Sequence, residues 1–112
     1  MALWKSIPEF ENYIVSDEGI VLNVRGKVVK SYKSGFKNLY LAVDLYKEGK
    51  RKKIRLNRLV ASLFVENETA GNEVNHIDRD YQNNNAWNLE WCTRVYNENY
   101  KKGRKQYVFL SR

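Results

Sequence analysis

EVNHIDRDYQNNNAWNLEWCTRVYNENY, residues 73–100, holds the only histidine of the chain, His76, and seven asparagines: Asn75, Asn83, Asn84, Asn85, Asn88, Asn97 and Asn99. Asparagine builds helix and strand interiors poorly, because its short amide competes with the backbone for hydrogen bonds. Such a density therefore marks turns, local bonding or a polar site. The apolar residues between give the outline: Val74 and Ile77 flank the histidine, and Leu89, Trp91 and Cys92 follow Asn88. The simplest reading is a short strand ending near His76, a long polar loop and a second short strand. A helix then opens at Thr93, a suitable N-cap, and runs without proline or glycine through Lys102.

The 112 residues are enough for one domain, divided at most into small lobes, and too few for a large enzyme scaffold. With 43% hydrophobic residues the chain is expected to fold, and its net charge of +7 points to a polyanion, nucleic acid before any other. A single cysteine, Cys92, excludes an internal disulfide. No apolar run approaches the length of a membrane span, and the first residues do not have the pattern of a signal peptide. The expected location is the cytoplasm of the cell that makes it.

Working outward, residues 10–21 read as a strand through Tyr13-Ile14-Val15, a turn at Ser16-Asp17-Glu18-Gly19, and a strand beginning at Ile20. Arg25-Gly26 separates two valine-containing runs, a hairpin signal. Leu39, Leu41, Val43 and Leu45 alternate with Tyr40, Ala42, Asp44 and Tyr46, as in a half-buried strand, and Glu48-Gly49-Lys50 turns into a partner reaching Leu56. Lys47, Lys50, Arg51, Lys52, Lys53, Arg55 and Arg58 crowd this hairpin and its exit. Such a run is either a solvated face or a set of phosphate contacts, and the cationic chain favours phosphates. Asn57 is expected to cap a helix to about Phe64, with Leu59, Val60, Leu63 and Phe64 on its apolar face. Lys101 and Lys102 are further candidates for gripping a nucleic-acid backbone; the 107–110 stretch YVFL is a strand docking on the core or on a partner.

VNHID, then NN, then NLEWCT, then Asn97 resembles the HNH endonuclease motif in the form found in phage and intron-encoded homing endonucleases. Asn88 follows His76 by twelve residues and Asn97 follows Asn88 by nine, which suits that motif. WKSIPEFENYIVSDEGIV at residues 4–21 also resembles the small N-terminal module (NUMOD4-like) that often precedes it. The resemblance implies an α+β fold: a small antiparallel β N-terminal region, one helix, then a ββα-metal (His-Me finger) nuclease unit. It divides the chain into a DNA-contact module at 1–56 and a helix plus nuclease unit at 57–112, joined as one compact body.

The resemblance also implies roles. His76 is the general base that deprotonates the attacking water, and imidazole is suited to that near neutral pH. Asn88 orients the imidazole. Asn75 and Asn97 hold a cation by their amide oxygens; one His and one Cys cannot build a structural zinc site, and oxygen ligands favour Mg²⁺ or Mn²⁺. Related enzymes often carry Asp where this chain has Asn75, so Asp78 or Asp80 would compensate, or Asp78 would only cap the loop. Replacing Asn75 by Asp is accordingly expected to strengthen cation binding without disturbing the fold. The implied partner is double-stranded DNA, with no membrane and no small-molecule cofactor, and the chain acts as monomer or homodimer. A catalytically degenerate DNA-binding or regulatory module is the competing reading, and RNA binding through surface aromatics a weaker third.

Overall fold

The alternation at 39–46 forms the strand expected of it, and that strand is the middle of a sheet. The computed structural model describes residues 1–101, in which eight strands and two α-helices follow one another. Strands β1 (Trp4–Ile7), β2 (Phe10–Ser16) and β3 (Val21–Asn23) make one antiparallel sheet in that order. A second has β5 (Tyr40–Lys47) between β4 (Tyr32–Ser34) and β6 (Lys50–Arg55). Helix α1 (Leu56–Phe64) follows, then the antiparallel ribbon of β7 (Glu73–His76) and β8 (Leu89–Cys92), then α2 (Arg94–Lys101). This mixture of small sheets and two helices is the α+β class expected. Lys102 and the stretch 107–110 lie outside the described residues.

The turns fall where the sequence puts them. Gly19, at φ 83°, donates its N–H to the Ser16 carbonyl, and Leu22 bridges Val28 across Arg25-Gly26. Thr93 Oγ1 accepts from the Tyr96 amide at 3.2 Å, the N-cap bond predicted for α2. Strands β1 and β4 were not foreseen; they are short, largely polar and held by pairing with a longer neighbour rather than by alternation.

Two local expectations are corrected. Helix α1 opens two residues earlier, with Arg55 rather than Asn57 in the cap position and Leu56 already buried. Asn57 therefore sits inside the helix instead of capping it, and its buried Oδ1 has no hydrogen-bond partner among the described residues. Strand β5 is buried on both faces through Leu45: Tyr40 and Ala42 are covered as well as Val43 and Leu45. The reason is that Tyr40 lies beneath the Arg55 guanidinium, 4.4 Å from the ring centre, and stacks on Tyr81.

One apolar core runs through the molecule. Val15 and Val21 from the first sheet, Val43 and Leu45 from the second, Leu59 and Val60 of α1, and Val74 and Leu89 of the ribbon belong to it. Trp91 ties the ribbon to α1 a second way: its indole N–H reaches the carbonyl of Val65 (3.1 Å), just past the helix end, and that of Ala61 (3.3 Å), which also accepts from the Val65 amide.

The loop into β7 passes so close to β8 that only glycine fits. A Cβ on Gly71 would lie 2.2 Å from the Cys92 carbonyl oxygen and 2.7 Å from the Thr93 nitrogen, both backbone atoms. Gly71→Ala is expected to destabilise the protein by about 1–3 kcal/mol, the scale of overpacking a rigid site. Urea unfolding of the variant against the parent checks this; equal midpoints would mean that the loop yields freely.

Candidate active site

The ribbon sets the positions. Its register pairs Glu73 with Cys92, Asn75 with Glu90 and His76 with Leu89. Alternation puts Val74, His76, Leu89 and Trp91 on one face, the side of α1 and the core. Glu73, Asn75 and Glu90 share the other face, and Asn97 of α2 donates its amide to Glu73 at 2.9 Å.

His76 is 2% exposed. Its ring lies 6.0 Å from that of Tyr40 and 5.5 Å from that of Tyr81, and these two tyrosines stack at 5.3 Å. Nε2 meets Asn84 Oδ1 at 2.9 Å. An amide oxygen only accepts, so Nε2 carries the hydrogen and the neutral ring keeps its lone pair on Nδ1. Burial pulls the imidazole below its ordinary value of 6.5; the Asn84 bond, Asp78 and Asp80 oppose that shift, and Lys101 adds to it.

The partner of the imidazole is thus Asn84, where the sequence pointed to Asn88. Asn88 is fully buried and its amide is used within the loop: Oδ1 accepts from the Asp78 amide at 3.0 Å, and Nδ2 donates to Asp78 Oδ1 and to the Asn83 carbonyl, each at 2.9 Å. Both Nδ2 hydrogens are committed, so no donor remains for the ring. Asp78 takes the loop-capping alternative. It also accepts from the Asp80 amide and from Asn83 Nδ2, each at 2.8 Å, and these bonds, Asn83 first, hold its carboxyl below the usual range.

Asn75 and Asn97 are buried, 1% and 3% exposed. Asn75 Nδ2 donates to Glu90 Oε2 at 3.1 Å. Among the described residues, buried Asn97 Oδ1 has no hydrogen-bond partner, a costly condition for an acceptor. Asn97 borders a polar pocket of about 520 Å³ that Tyr40, Arg55, Asn57, Glu73 and Lys101 also line. Among the described residues no three of His, Cys, Asp and Glu converge as a metal cage. An orphaned amide oxygen beside carboxylates fits a hard cation held by oxygens and completed by substrate, and does not fit zinc.

The cations divide into two groups. Arg55, Arg58 and Lys101 stand at the pocket, with Arg58 donating to the Asn72 carbonyl at 2.9 Å and Lys101 lying 5.9 Å from the Tyr40 ring. Lys47, Lys50, Arg51, Lys52 and Lys53 are exposed on the outer part of the β5–β6 hairpin. Register separates these again: Arg51, Lys53 and Arg55 alternate along one face, opposite Tyr46, Asp44 and Ala42, with Lys50 and Lys52 on the other. Arg51 makes a 3.6 Å ion pair with Asp44 while remaining mostly exposed.

Tyr40, Tyr81, Asn84, Glu73 and Glu90 escaped the sequence reading. Asn84 was one of three consecutive asparagines with nothing to single it out. The two glutamates had a usable signal, since each stands two or fewer residues from an assigned position on a predicted strand.

No family model matches the chain. Two uncharacterised HNH endonucleases of Acanthamoeba polyphaga mimivirus are 38% and 36% identical to it over 87% and 82% of its length, but it covers only 29% and 23% of theirs. DNA endonuclease I-HmuI of Bacillus phage SP01 is 38% identical over 84% of the chain and 54% of that protein. A solved structure of the HNH homing endonuclease I-HmuI, concerned with DNA binding and cleavage, superposes with a TM-score of 0.80 at 33% identity. It spans 97% of this chain and 64% of that one. In sequence and in fold alike, the chain is similar to these HNH endonucleases. It spans about a quarter to two thirds of the length of these relatives. Among the described residues no helix is long and apolar enough to cross a membrane.

The buried imidazole has a measurable consequence. With its folded value below 6.5, the unfolded chain takes up a proton before the native protein does. The stability that His76 confers by staying neutral is complete above about pH 6.5 and declines as pH falls toward the folded value. NMR titration of the ring should give a midpoint below 6.5, and urea midpoints should fall over the same window. A ring titrating above 6.5 would contradict the burial argument.

Proposed function

We propose that the chain is a DNA endonuclease of the HNH type, metal-dependent and of the homing or nicking kind, with His76 as general base. The observation that carries this reading is the imidazole itself: buried, kept neutral, and held at Nε2 by Asn84 so that Nδ1 is left to take a proton. Water would lose its proton to Nδ1 as its oxygen bonds to phosphorus and the bond from phosphorus to the 3′ oxygen breaks, the released 3′ oxygen taking a proton from solvent. The ends produced are a 5′-phosphate and a 3′-hydroxyl. Asn88 serves at one remove, by bracing the loop that carries Asn84. Asn75 and Asn97 would hold Mg²⁺ or Mn²⁺ by their amide oxygens. Such an ion, when bound, supplies charge stabilisation at the phosphate and the leaving oxygen. In this reading β7, β8 and α2 form the ββα-metal unit, and residues 1–56 are the DNA-contact module.

The row Arg51, Lys53, Arg55 supports a path for one DNA strand, since it ends at the pocket where Arg58 and Lys101 stand. Lys47, Lys50 and Lys52 extend the positive surface, and Lys102 is proposed on sequence alone. The neutral Asn75 favours one rival, a DNA-binding module without cleavage. Plasmid incubated with the protein and Mg²⁺ separates them: nicking supports the nuclease, whereas a gel shift with intact plasmid supports the rival.

His76→Ala is expected to abolish nicking while leaving DNA affinity nearly unchanged, because one imidazole adds little to phosphate binding. Nicking at a rate near the parent's would remove His76 from the mechanism.

For binding, Arg51→Ala with Lys53→Ala should make the log–log salt dependence of affinity shallower by about two units, roughly one for each phosphate left without its cation. Titrations between low and moderate salt measure it, and an unchanged slope would move the DNA off this face of the hairpin.

A further inference from the structure

Each asparagine assigned to the cation is paired with a glutamate. Asn97 Nδ2 donates to Glu73 Oε1 at 2.9 Å, and Asn75 Nδ2 donates to Glu90 Oε2 at 3.1 Å. The second pair is also a register pair of the ribbon, and Glu73 stands two residues before Asn75 on the same face. An amide is symmetric in shape, so either of its ends could face the site. A carboxylate breaks that symmetry: ionised, it accepts only, and the NH₂ end must turn toward it. The carbonyl oxygen is thereby pointed the other way. Asn97 shows the consequence, with Oδ1 buried and without a partner among the described residues.

We infer that Glu73 and Glu90 are positioning residues for the cation: each fixes the amide of a site asparagine with its oxygen outward, and together they return the negative charge that neutral ligands lack. The inference rests on the reading of Asn75 and Asn97 as cation ligands. Carboxylates behind a first ring of ligands orient those ligands and raise their donor strength, and removing such a partner typically costs about 10–100-fold in metal affinity. Here the carboxylate is not missing from position 75 so much as carried one strand over. Asn75→Asp alone would therefore set two carboxylates against each other across the ribbon. That substitution gains nothing until Glu90 is changed with it, which revises the expectation drawn from sequence.

Exchanging the partners provides the test. Glu73→Gln with Asn97→Asp, and Glu90→Gln with Asn75→Asp, each reverse donor and acceptor while keeping the total charge and the shape of the pair. Mn²⁺ binding to the protein without DNA, followed by electron paramagnetic resonance, is the readout, with urea midpoints as the check on folding. Glu73→Gln and Glu90→Gln alone should weaken Mn²⁺ binding by about 10–100-fold. Asn97→Asp and Asn75→Asp alone should bind no more tightly than the parent. Each exchanged pair should recover most of the loss shown by its Glu→Gln member. Glu→Gln variants that bind Mn²⁺ as the parent does, or exchanged pairs no better than those singles, would overturn the inference. Asn97→Ala binding Mn²⁺ as well as the parent would instead overturn the ligand assignment on which it rests.

Discussion

The amide of Asn88 closes the loop on which the site depends. Residues 77–87, which connect the two strands of the ribbon, are mostly polar, and beyond Tyr81 and Ala86 they offer little packed apolar surface to offset the loss of chain entropy. One fully buried side chain gathers the two ends: it accepts from Asp78 and donates to Asp78 and to Asn83. The backbone adds to this where Ile77 donates to the Asn88 carbonyl at 2.8 Å. A buried amide with all its bonds made is rigid, because releasing any one strands a polar group out of water. The immediate product of that rigidity is the position of Asn84, and through it the tautomer of His76.

The first sheet helps to hold the same loop. Ala86 donates to the Asp17 carbonyl at 2.7 Å, and the turn at Gly19 packs so closely on Asn84 that an added Cβ would lie 3.1 Å from its Cβ. The left-handed φ of Gly19 and this close approach both call for glycine. A turn that reads in sequence as a simple strand connector therefore buttresses the histidine's partner from more than sixty residues away along the chain. A β-rich N-terminal region could have been a detachable DNA grip. Here it also shares a core and a backbone hydrogen bond with the part that carries His76.

Strong periodicity and turn chemistry made much of this legible beforehand. The alternation at 39–46, the glycine turns, the Thr93 cap and the strand ending at His76 all express local physics that one segment carries by itself. What could not be read was the choice among equivalent groups. Asn84 and Asn88 have the same side chain and both lie within reach of the loop; only the folded path decides which meets the imidazole. Asn57 looked like a cap because it followed a strand. The apolar residue before it, Leu56, was drawn into the core, and the helix began there instead. The glutamates were legible as strand residues, but nothing in the sequence tied them to asparagines across the ribbon or on α2.

On the proposed assignment of His76 as base and of Asn75 and Asn97 as cation ligands, two demands on the site conflict. A cation is held best by negative charge, whereas a neutral imidazole is kept neutral best by its absence, since carboxylates nearby favour the protonated ring. Asp78 and Asp80 already pull His76 in that direction, against the burial that lowers it. A carboxylate at position 75, directly adjacent in sequence, would add to their pull. Neutral amides at positions 75 and 97 ease the conflict, and strand alternation turns Glu73 and Glu90, like Asn75, to the face opposite His76. Charge then reaches the amide oxygens through the hydrogen bonds to their NH₂ groups, while the wall of Tyr40 and Tyr81 keeps the surroundings of the ring apolar. Weaker hold on a free cation follows from this arrangement. It is tolerable where the phosphate itself completes the coordination, as is usual for Mg²⁺.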